Sequence, residues 1–182
     1  MHIRDIMNLM KKIPVGILGA TGMVGQKFVE LLANHPWFEI KALAASERSV
    51  GKSYGEAMRW MMATPLPFPK MQVSSCEPNL PCELVFSGLD SSVAFDIELQ
   101  FAKSGYTVIS NSRNHRMDPS VPLVIPEVNK EHLSLIRTQK FGGHIITNPN
   151  CSVIGITTAL KPLLDNWGIE QVHVTTLQAV SG

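Results

Sequence analysis

Short apolar runs alternate along the chain with helix-length amphipathic stretches, a pattern typical of strand–helix–strand units that form a parallel sheet. The predicted strands and extended runs cover residues 13–18, 39–45, 84–87, 106–110, 121–125 and 144–147. The predicted helices cover residues 23–34, 91–103 and 130–139, and Gly105 is expected to cap the second of them. We expect the first helix to bury one face, made by Val24, Phe28, Leu31 and Leu32. The prolines at 65, 67 and 69 predict an irregular middle segment.

The pattern changes near the end of the chain. A helix is expected to begin at Cys151 and to reach at least Pro162, which must kink it or start a new turn. β-Branched residues then predict one long strand over 169–179. We therefore expect one domain over 13–148, followed by the start of a second, truncated domain over 149–182.

Composition narrows the possible partners. The 182 residues are 45% apolar, enough for a real core, and 16 Lys+Arg against 15 Asp+Glu leave a net charge of +1. This balance gives no electrostatic case for nucleic acid or for an anionic membrane. No apolar run approaches the roughly 20 residues that cross a bilayer, and the first residues offer no secretory core. Three cysteines, an odd count, favour a reducing cytoplasm over a disulfide scaffold.

A glycine-rich loop joins the first predicted strand to the first predicted helix. The segment GILGATGMVGQ carries glycines at 16, 19, 22 and 25. Gly19 and Gly22 stand where backbone N–H groups must approach a pyrophosphate at a helix N-terminus, and Gly25 would let the helix pack closely. A tight turn without a ligand is the simpler alternative. The strand–loop–helix context favours a dinucleotide site.

The end of the second strand bears on which dinucleotide binds. Ser46 and Ser49 are small hydroxyl donors, and Arg48 can meet a 2′-phosphate with charge-assisted hydrogen bonds. Glu47 would repel that phosphate and favour NAD if its side chain turned inward. The alternative is that Glu47 and Arg48 are only a solvated pair. We predict NADP.

One cysteine stands at a position suited to chemistry. Cys151 follows a strand and opens a helix in the segment NPNCS, where the reactive thiolate form is favoured. Beside a nicotinamide site, such a thiolate can attack an aldehyde, hydride then leaves to the cofactor, and the thioester so formed passes its acyl group to an acceptor. The alternative is a buried thiol that acts as a small hydrophobe. Cys76 and Cys82 have no partners at zinc spacing, so no metal site is expected.

Taken together, these segments resemble aspartate-semialdehyde dehydrogenases of the branch found in archaea, fungi and some bacteria. The resemblance runs from residue 13 to residue 182 and is carried by the motifs GATGMVGQ, AASERSVGKSYGE, VFSGLD, SNSRNHRM, VPLVIPEVN, NPNCS and TLQAVSG. It implies a Rossmann-like, mostly parallel sheet with helices on both faces, followed by the truncated start of an α+β catalytic and dimerisation domain.

The resemblance also implies roles for individual residues. Cys151 matches the family's nucleophile, with Asn150 beside it in the active site. Gln178 matches a glutamine that orients the substrate, and Arg116 an arginine that binds phosphate or acyl phosphate. The implied cofactor contacts are Gly19, Thr21, Gly22, Met23, Val24, Ser46, Arg48, Ser49, Ser87, Leu89, Asn111, Ser112, Ser181 and Gly182.

The implied reaction is the NADPH-dependent reduction of β-aspartyl phosphate to aspartate semialdehyde, with release of phosphate, on the route to lysine, threonine and methionine. The reaction would proceed through a thioester on Cys151. The resemblance also implies a cytoplasmic protein that in its full-length form is a homo-oligomer, a dimer or a tetramer. The family's catalytic histidine and its carboxylate-binding arginine match no position of this sequence, so we expect NADP binding with poor or no turnover.

Three alternatives stay open from the sequence. An acyl-CoA reductase similar to malonyl-CoA reductase shares the glycine loop, the cysteine and the SNS…R segment. A non-catalytic NADP-binding module would keep the loop and leave Cys151 unreactive. A pure interaction protein would use the apolar segment 169–180 for self-association.

Overall fold

The computed structural model describes residues 11–177 of the chain. Its strands are Ile13–Leu18 (β1), Phe38–Ala45 (β2), Val73–Ser75 (β3), Leu84–Ser87 (β4), Thr107–Ser110 (β5) and His144–Thr147 (β6). Its helices are Met23–Leu32 (α1), Tyr54–Ala57 (α2), Ser91–Lys103 (α3), Pro126–Asn129 (α4), the 3-10 helix Lys130–Thr138 and Cys151–Trp167 (α5).

The six strands form one parallel sheet in the order β3-β2-β1-β4-β5-β6. The chain builds outwards from β1 to β3, returns to the other side of β1, and then builds outwards to β6. This order is that of the dinucleotide-binding Rossmann fold, and ligands of such sheets bind where the order reverses, at the carboxyl ends of the strands. The predicted Rossmann-like parallel sheet is confirmed.

Apolar cores lie on both faces of the sheet. On one face, Val29 and Leu32 of α1 pack with Ile17 of β1. On the other face, the fully buried ring of Phe101 on α3 belongs to the same cluster as Leu18, the next residue of β1. Because neighbouring strand residues point to opposite faces, the central strands β1, β2 and β4 contribute side chains to both cores. The helices therefore cover the two faces as the sequence predicts.

Several predicted boundaries need correction. The segment around the prolines at 65, 67 and 69 has no helix or strand, as predicted, but the flanking elements α2 and β3 were not predicted. Residues 121–125 form no strand of the sheet but run beside the end of β6, where Val124 N–H donates to the Thr147 carbonyl at 2.9 Å. The predicted helix 130–139 is a 3-10 helix, and none of its residues is buried, so no packed face selects α-helical spacing. Gly105 follows α3 with φ +96°, as expected of its cap.

The predicted buried face of α1 is partly wrong. Leu32 is buried and Phe28 packs against the core, but Val24 and Leu31 are 37% and 61% exposed. The helix instead buries Gln26, whose side-chain amide donates to the Thr21 and Arg59 carbonyls and accepts from Met61 N–H. A buried amide with three partners replaces the apolar contact that periodicity predicted.

The long strand predicted over 169–179 is wrong within the described residues, because 169–177 contains no regular element. Val174 is 53% exposed and Leu177 is 98% exposed. β-Branched residues favour a strand only when another strand pairs with them, and no described strand edge lies alongside this segment. The helix before it, α5, continues through Pro162 and ends at Trp167.

Candidate active site

The site lies at the carboxyl edge of the sheet, where loops follow four neighbouring strands. The glycine loop follows β1, Gly88 follows β4, Asn111 follows β5, and the segment from Asn148 to Cys151 follows β6. Segments far apart in the sequence meet here because parallel strands end at the same edge.

The glycine loop is packed so tightly that it leaves no room for side chains. Gly19 has φ +73°, and a Cβ atom there would lie 2.8 Å from the Gly88 carbonyl oxygen. A Cβ atom on Gly25 would lie 2.0 Å from the Gly19 carbonyl oxygen. The Gly22 N-cap of α1 has no side-chain cap, and the first turn has no acidic residue. Backbone N–H groups at this helix start can therefore face an anion such as a pyrophosphate.

A cavity of about 440 Å³ opens beside this loop. It is lined by predicted cofactor residues from three loops, Gly22, Met23, Val24, Leu89, Asn111 and Ser112, and by the predicted substrate residue Arg116. Four further residues line this cavity although no site role was predicted for them: Gly88, Asp90, Ser91 and Arg113. Asp90 could have been found, because an aspartate before a helical run is a typical N-cap, and its carboxylate accepts from Ser92 N–H at 2.8 Å.

A second, more apolar cavity of about 300 Å³ lies nearer the β2 side of the sheet. Its walls are Ala45, Ser46, Glu47, Cys76, Glu77, Leu89, Val93 and Ile97. Leu89 lines both cavities, so they adjoin. Two adjoining cavities beside an uncapped helix start fit the two halves of a dinucleotide, with an adenosine in the apolar part.

The predicted 2′-phosphate residues differ in placement. Ser46 and Glu47 both line the smaller cavity, whereas Arg48 is exposed and does not line it. Ser49 is buried, and its N–H donates to the Ser46 carbonyl at 2.8 Å, which closes the turn. The geometry therefore brings a hydroxyl and a carboxylate to the same wall, and an exposed cation follows them in the chain.

Two predicted cofactor residues, Ser87 and Thr21, line neither cavity. The Ser87 side chain is fully buried and donates to Glu98 at 2.6 Å. The Thr21 carbonyl accepts from the Gln26 amide at 3.0 Å, so Thr21 is held by its backbone. Ser112 lines the cavity, and its hydroxyl donates to Asn114 at 2.5 Å.

Arg116 is held at the cavity by its neighbours. Its Nη2 atom donates a hydrogen bond to the Asn111 carbonyl at 2.9 Å. The Nε atom of Arg116 is buried and has no hydrogen-bond partner among residues 11–177. Burial lowers the pKa of Arg116, and the nearby Cys151 opposes that shift. The Asn148 amide donates to the Asn111 side chain at 2.9 Å and so joins the ends of β5 and β6. An arginine with an unused donor beside a thiol can bind a phosphate or carboxylate.

Cys151 is the first residue of α5 and is exposed. Asn150 caps the helix by accepting from Ser152 N–H at 3.0 Å, and its Oδ1 lies 3.9 Å from the Cys151 Sγ. The other two thiols are less accessible: burial raises the pKa of Cys76 and raises the pKa of Cys82 to about 11. Of the three thiols, only that of Cys151 is exposed, and it lies at a helix N-terminus beside a cation.

Three predicted residues, Gln178, Ser181 and Gly182, lie outside the described residues. Within residues 11–177, no three His, Cys, Asp or Glu side chains are grouped to hold a metal ion. No helix in that range is both long enough and apolar enough to span a bilayer.

Comparison with known proteins gives consistent similarities. The family model "Semialdehyde dehydrogenase, NAD binding domain" matches residues 14–136. Aspartate-semialdehyde dehydrogenase of Archaeoglobus fulgidus is 49% identical over 92% of this chain and 51% of its own length. That of Saccharomyces cerevisiae is 45% identical over 94% of this chain and 51% of its own length.

Two solved structures extend the comparison. The crystal structure of aspartate-semialdehyde dehydrogenase with NADP from Candida albicans has a TM-score of 0.81 and 43% identity, covering 87% of this chain and 48% of that one. Aspartate-semialdehyde dehydrogenase II from Vibrio cholerae, complexed with ASA, has a TM-score of 0.70 and 31% identity, covering 88% and 45%. The chain spans about half the length of the relatives it matches.

Proposed function

The chain belongs to the semialdehyde dehydrogenase family, and we propose that it forms the cofactor-binding half, with the nucleophile, of an NADP-dependent aspartate-semialdehyde dehydrogenase. The observation that carries the proposal is the exposed thiol of Cys151 at a helix N-terminus, electrostatically coupled to Arg116. This pair lies at the same edge of the sheet as the glycine loop and the larger cavity, where the dinucleotide would bind.

The chemistry of the chain's own residues follows from that pair. The Cys151 thiolate attacks the acyl carbon of β-aspartyl phosphate. The bond from carbon to the phosphate oxygen breaks, phosphate leaves with its electron pair, and a thioester remains on Sγ. Arg116, with its buried unpaired Nε, would hold the phosphate before it leaves. The α5 N-terminus stabilises negative charge on the sulfur.

The cofactor proposal is NADP. When bound, the nicotinamide supplies or accepts the hydride. Gly22 and the start of α1 would face the pyrophosphate, and Leu89 would separate the two halves of the molecule. Ser46 and Arg48 would take the 2′-phosphate, and Glu47 on the same wall would oppose it. The Candida albicans relative was solved with NADP, which supports this choice.

The first experiment measures acylation of the chain. The purified protein is mixed with β-aspartyl phosphate and the intact mass is followed. We expect a single hydroxylamine-sensitive adduct that maps to Cys151 and is absent from Cys151→Ser. The matched control is Cys76→Ser, which should leave the adduct unchanged, because Cys76 is half-buried.

The alternative functions predict different outcomes in this experiment, in a titration with NADP⁺ and in gel filtration. Acylation by an acyl-CoA but not by the acyl phosphate would replace the proposal with an acyl-CoA reductase. NADP⁺ binding with an unreactive Cys151 would favour the non-catalytic module. Self-association without any effect of the cofactor would favour the interaction protein.

The remaining assignments are also proposals. We propose that the cofactor domain spans 13–148 and that a second domain begins at 149, supported by the end of the sheet at Thr147 and by α5, which has no buried residue. A homo-oligomer, a dimer or tetramer, with small-molecule substrates and no nucleic-acid or membrane partner would follow from the family. A cytoplasmic location suits an unpaired, exposed catalytic thiol. Gel filtration with light scattering tests the assembly.

A further inference from the structure

A buried carboxyl group lies next to the larger cavity. Glu98, on α3, is fully buried, and its Oε1 accepts hydrogen bonds from the hydroxyl groups of Ser87 at 2.6 Å and Ser110 at 2.8 Å. These serines are the last residues of β4 and β5. Glu98 therefore ties together the two strand ends from which the cavity loops begin.

The second oxygen of this carboxyl group faces a buried histidine. Glu98 Oε2 lies 3.5 Å from His115 Nε2, and neither atom has a hydrogen-bond partner within the described part of the chain. The His115 ring stacks on Phe95, with centroids 4.8 Å apart and planes 18° apart. The Phe95 backbone also lies close to the ring and favours its protonated form.

The charges around the pair favour its neutral form. Ser87 faces Glu98 from β4, and Ser110 faces it from β5; neither carries a charge. Burial raises the pKa of Glu98. Burial also lowers the pKa of His115, although Asp118 and the Phe95 backbone oppose this shift. An ionised carboxylate here would lose its water without gaining a charged partner.

We propose that Glu98 is a neutral carboxylic acid that donates its proton to Nε2 of His115, and that the pair is a positioning element for the loop that carries Arg116. The neutral imidazole offers one lone pair at Nε2, and the carboxylic acid offers one proton and one carbonyl oxygen. The carbonyl oxygen takes the two serine hydroxyl groups. This arrangement gives every buried polar atom of the pair a role.

The pair reaches Arg116 through a short chain of hydrogen bonds. The Ser110 hydroxyl, which donates to Glu98, accepts from Ser112 N–H at 3.0 Å. The loop then continues to Arg116, which donates back to the Asn111 carbonyl at 2.9 Å. Glu98 and His115 thus hold this loop from its two ends. The consequence for acylation rests on the proposed function, whereas the protonation state does not.

The test compares two variants of Glu98. Glutamine reproduces the neutral acid, since its NH₂ can donate to His115 and its oxygen can accept from the serines. We expect Glu98→Gln to acylate within about twofold of the parent, and Glu98→Ala to lose at least about fivefold, the effect of one unpaired buried group. Asp96→Asn, on the exposed side of α3, is the matched control and should change nothing.

A spectroscopic readout separates this inference from the proposed function. Infrared spectra of protein labelled with ¹³C-glutamate should show a protonated carboxylic acid at neutral pH that is missing from Glu98→Gln. Ser110→Ala should retain the band but lose acylation rate, because Ser112 N–H becomes unpaired. Absence of the band, or a Glu98→Gln variant as damaged as Glu98→Ala, overturns the inference. A present band in a chain that no acyl phosphate modifies would instead reject only the proposed reaction.

Discussion

Replacing Gly25 with alanine tests the tight packing of the glycine loop. The added Cβ would lie 2.0 Å from the Gly19 carbonyl oxygen and 2.6 Å from its carbon, whereas ordinary contact begins at 3.4 Å. The loop or the start of α1 must therefore move by about 1.4 Å. The Cα of Ala20, at 2.7 Å, clashes as well, and because all three atoms are backbone, no side-chain rotation relieves the contact.

The cost can be worked from this displacement. Overpacking of this kind costs about 1–3 kcal/mol, and the better helix propensity of alanine returns about 1 kcal/mol. We expect Gly25→Ala to lose up to about 2 kcal/mol of unfolding free energy, measured by urea titration. The shift also moves the N–H groups that would face the pyrophosphate. Losing one such charge-assisted hydrogen bond costs about 1.5–3 kcal/mol, or about tenfold or more in NADP⁺ affinity by calorimetry.

Gly155→Ala is the matched control. Gly155 also lies in a helix, but a Cβ there meets no atom within 4 Å. The control should gain up to about 1 kcal/mol from helix propensity and leave NADP⁺ affinity unchanged. If Gly25→Ala binds NADP⁺ with the same affinity as the parent protein, the start of α1 is not the pyrophosphate site, and our interpretation of the glycine loop is wrong.

Three further predictions concern buried bonds and titration. Tyr54→Phe should cost about 1–2 kcal/mol in urea titration, because the buried Tyr54 hydroxyl donates to the Ala20 carbonyl at 2.7 Å. Burial raises the pKa of Glu98 above its ordinary 4.5, so the folded state keeps a proton that the unfolded state loses. Stability contributed by Glu98 should thus fall as pH rises above 4.5, by at most about 1.4 kcal/mol per pH unit, and Glu98→Gln should remove that slope. Hydrogen bonds from Ser92 lower the pKa of Asp90 below 3.8, so Asp90→Ala should destabilise at neutral pH, with the difference vanishing in acid.

Elements with strong local signals could be predicted from the sequence. The strands β1, β4 and β6 and the helix α3 occur at the expected residues, because each is a short apolar run or a capped amphipathic run. β3 was missed since its three residues gain their strand geometry only by pairing with β2. The segment 169–177 shows the converse, with strand-like residues and no described strand to pair with.

The residues of the candidate site also fall into those that were predicted from the sequence and those that were missed. The family resemblance, and not the chemistry of the residues themselves, named Leu89 and Arg116, and both line the larger cavity. Glu98 was missed because an ionisable residue in an amphipathic helix predicts a solvent-facing position. It is buried because two serines and a histidine from other segments surround it. Periodicity holds no information about such distant partners.

The candidate site at the carboxyl edge of the sheet has two parts, one that would bind the cofactor and one that would carry out the reaction. Different contacts hold each part in place, so the two functions can be perturbed separately. The cofactor part is held by backbone packing, with Gly19 and Gly25 pressed against each other. The reaction part is held by side chains, with Asn148 bonded to Asn111 and Arg116 bonded to the Asn111 carbonyl. Asn148→Ala should therefore slow acylation of the chain more than it weakens NADP⁺ binding, since of the cofactor residues that line the cavity it frees only the Asn111 side chain. Gly25→Ala should do the reverse. Equal damage to both functions by either variant would show that the two parts move as one body.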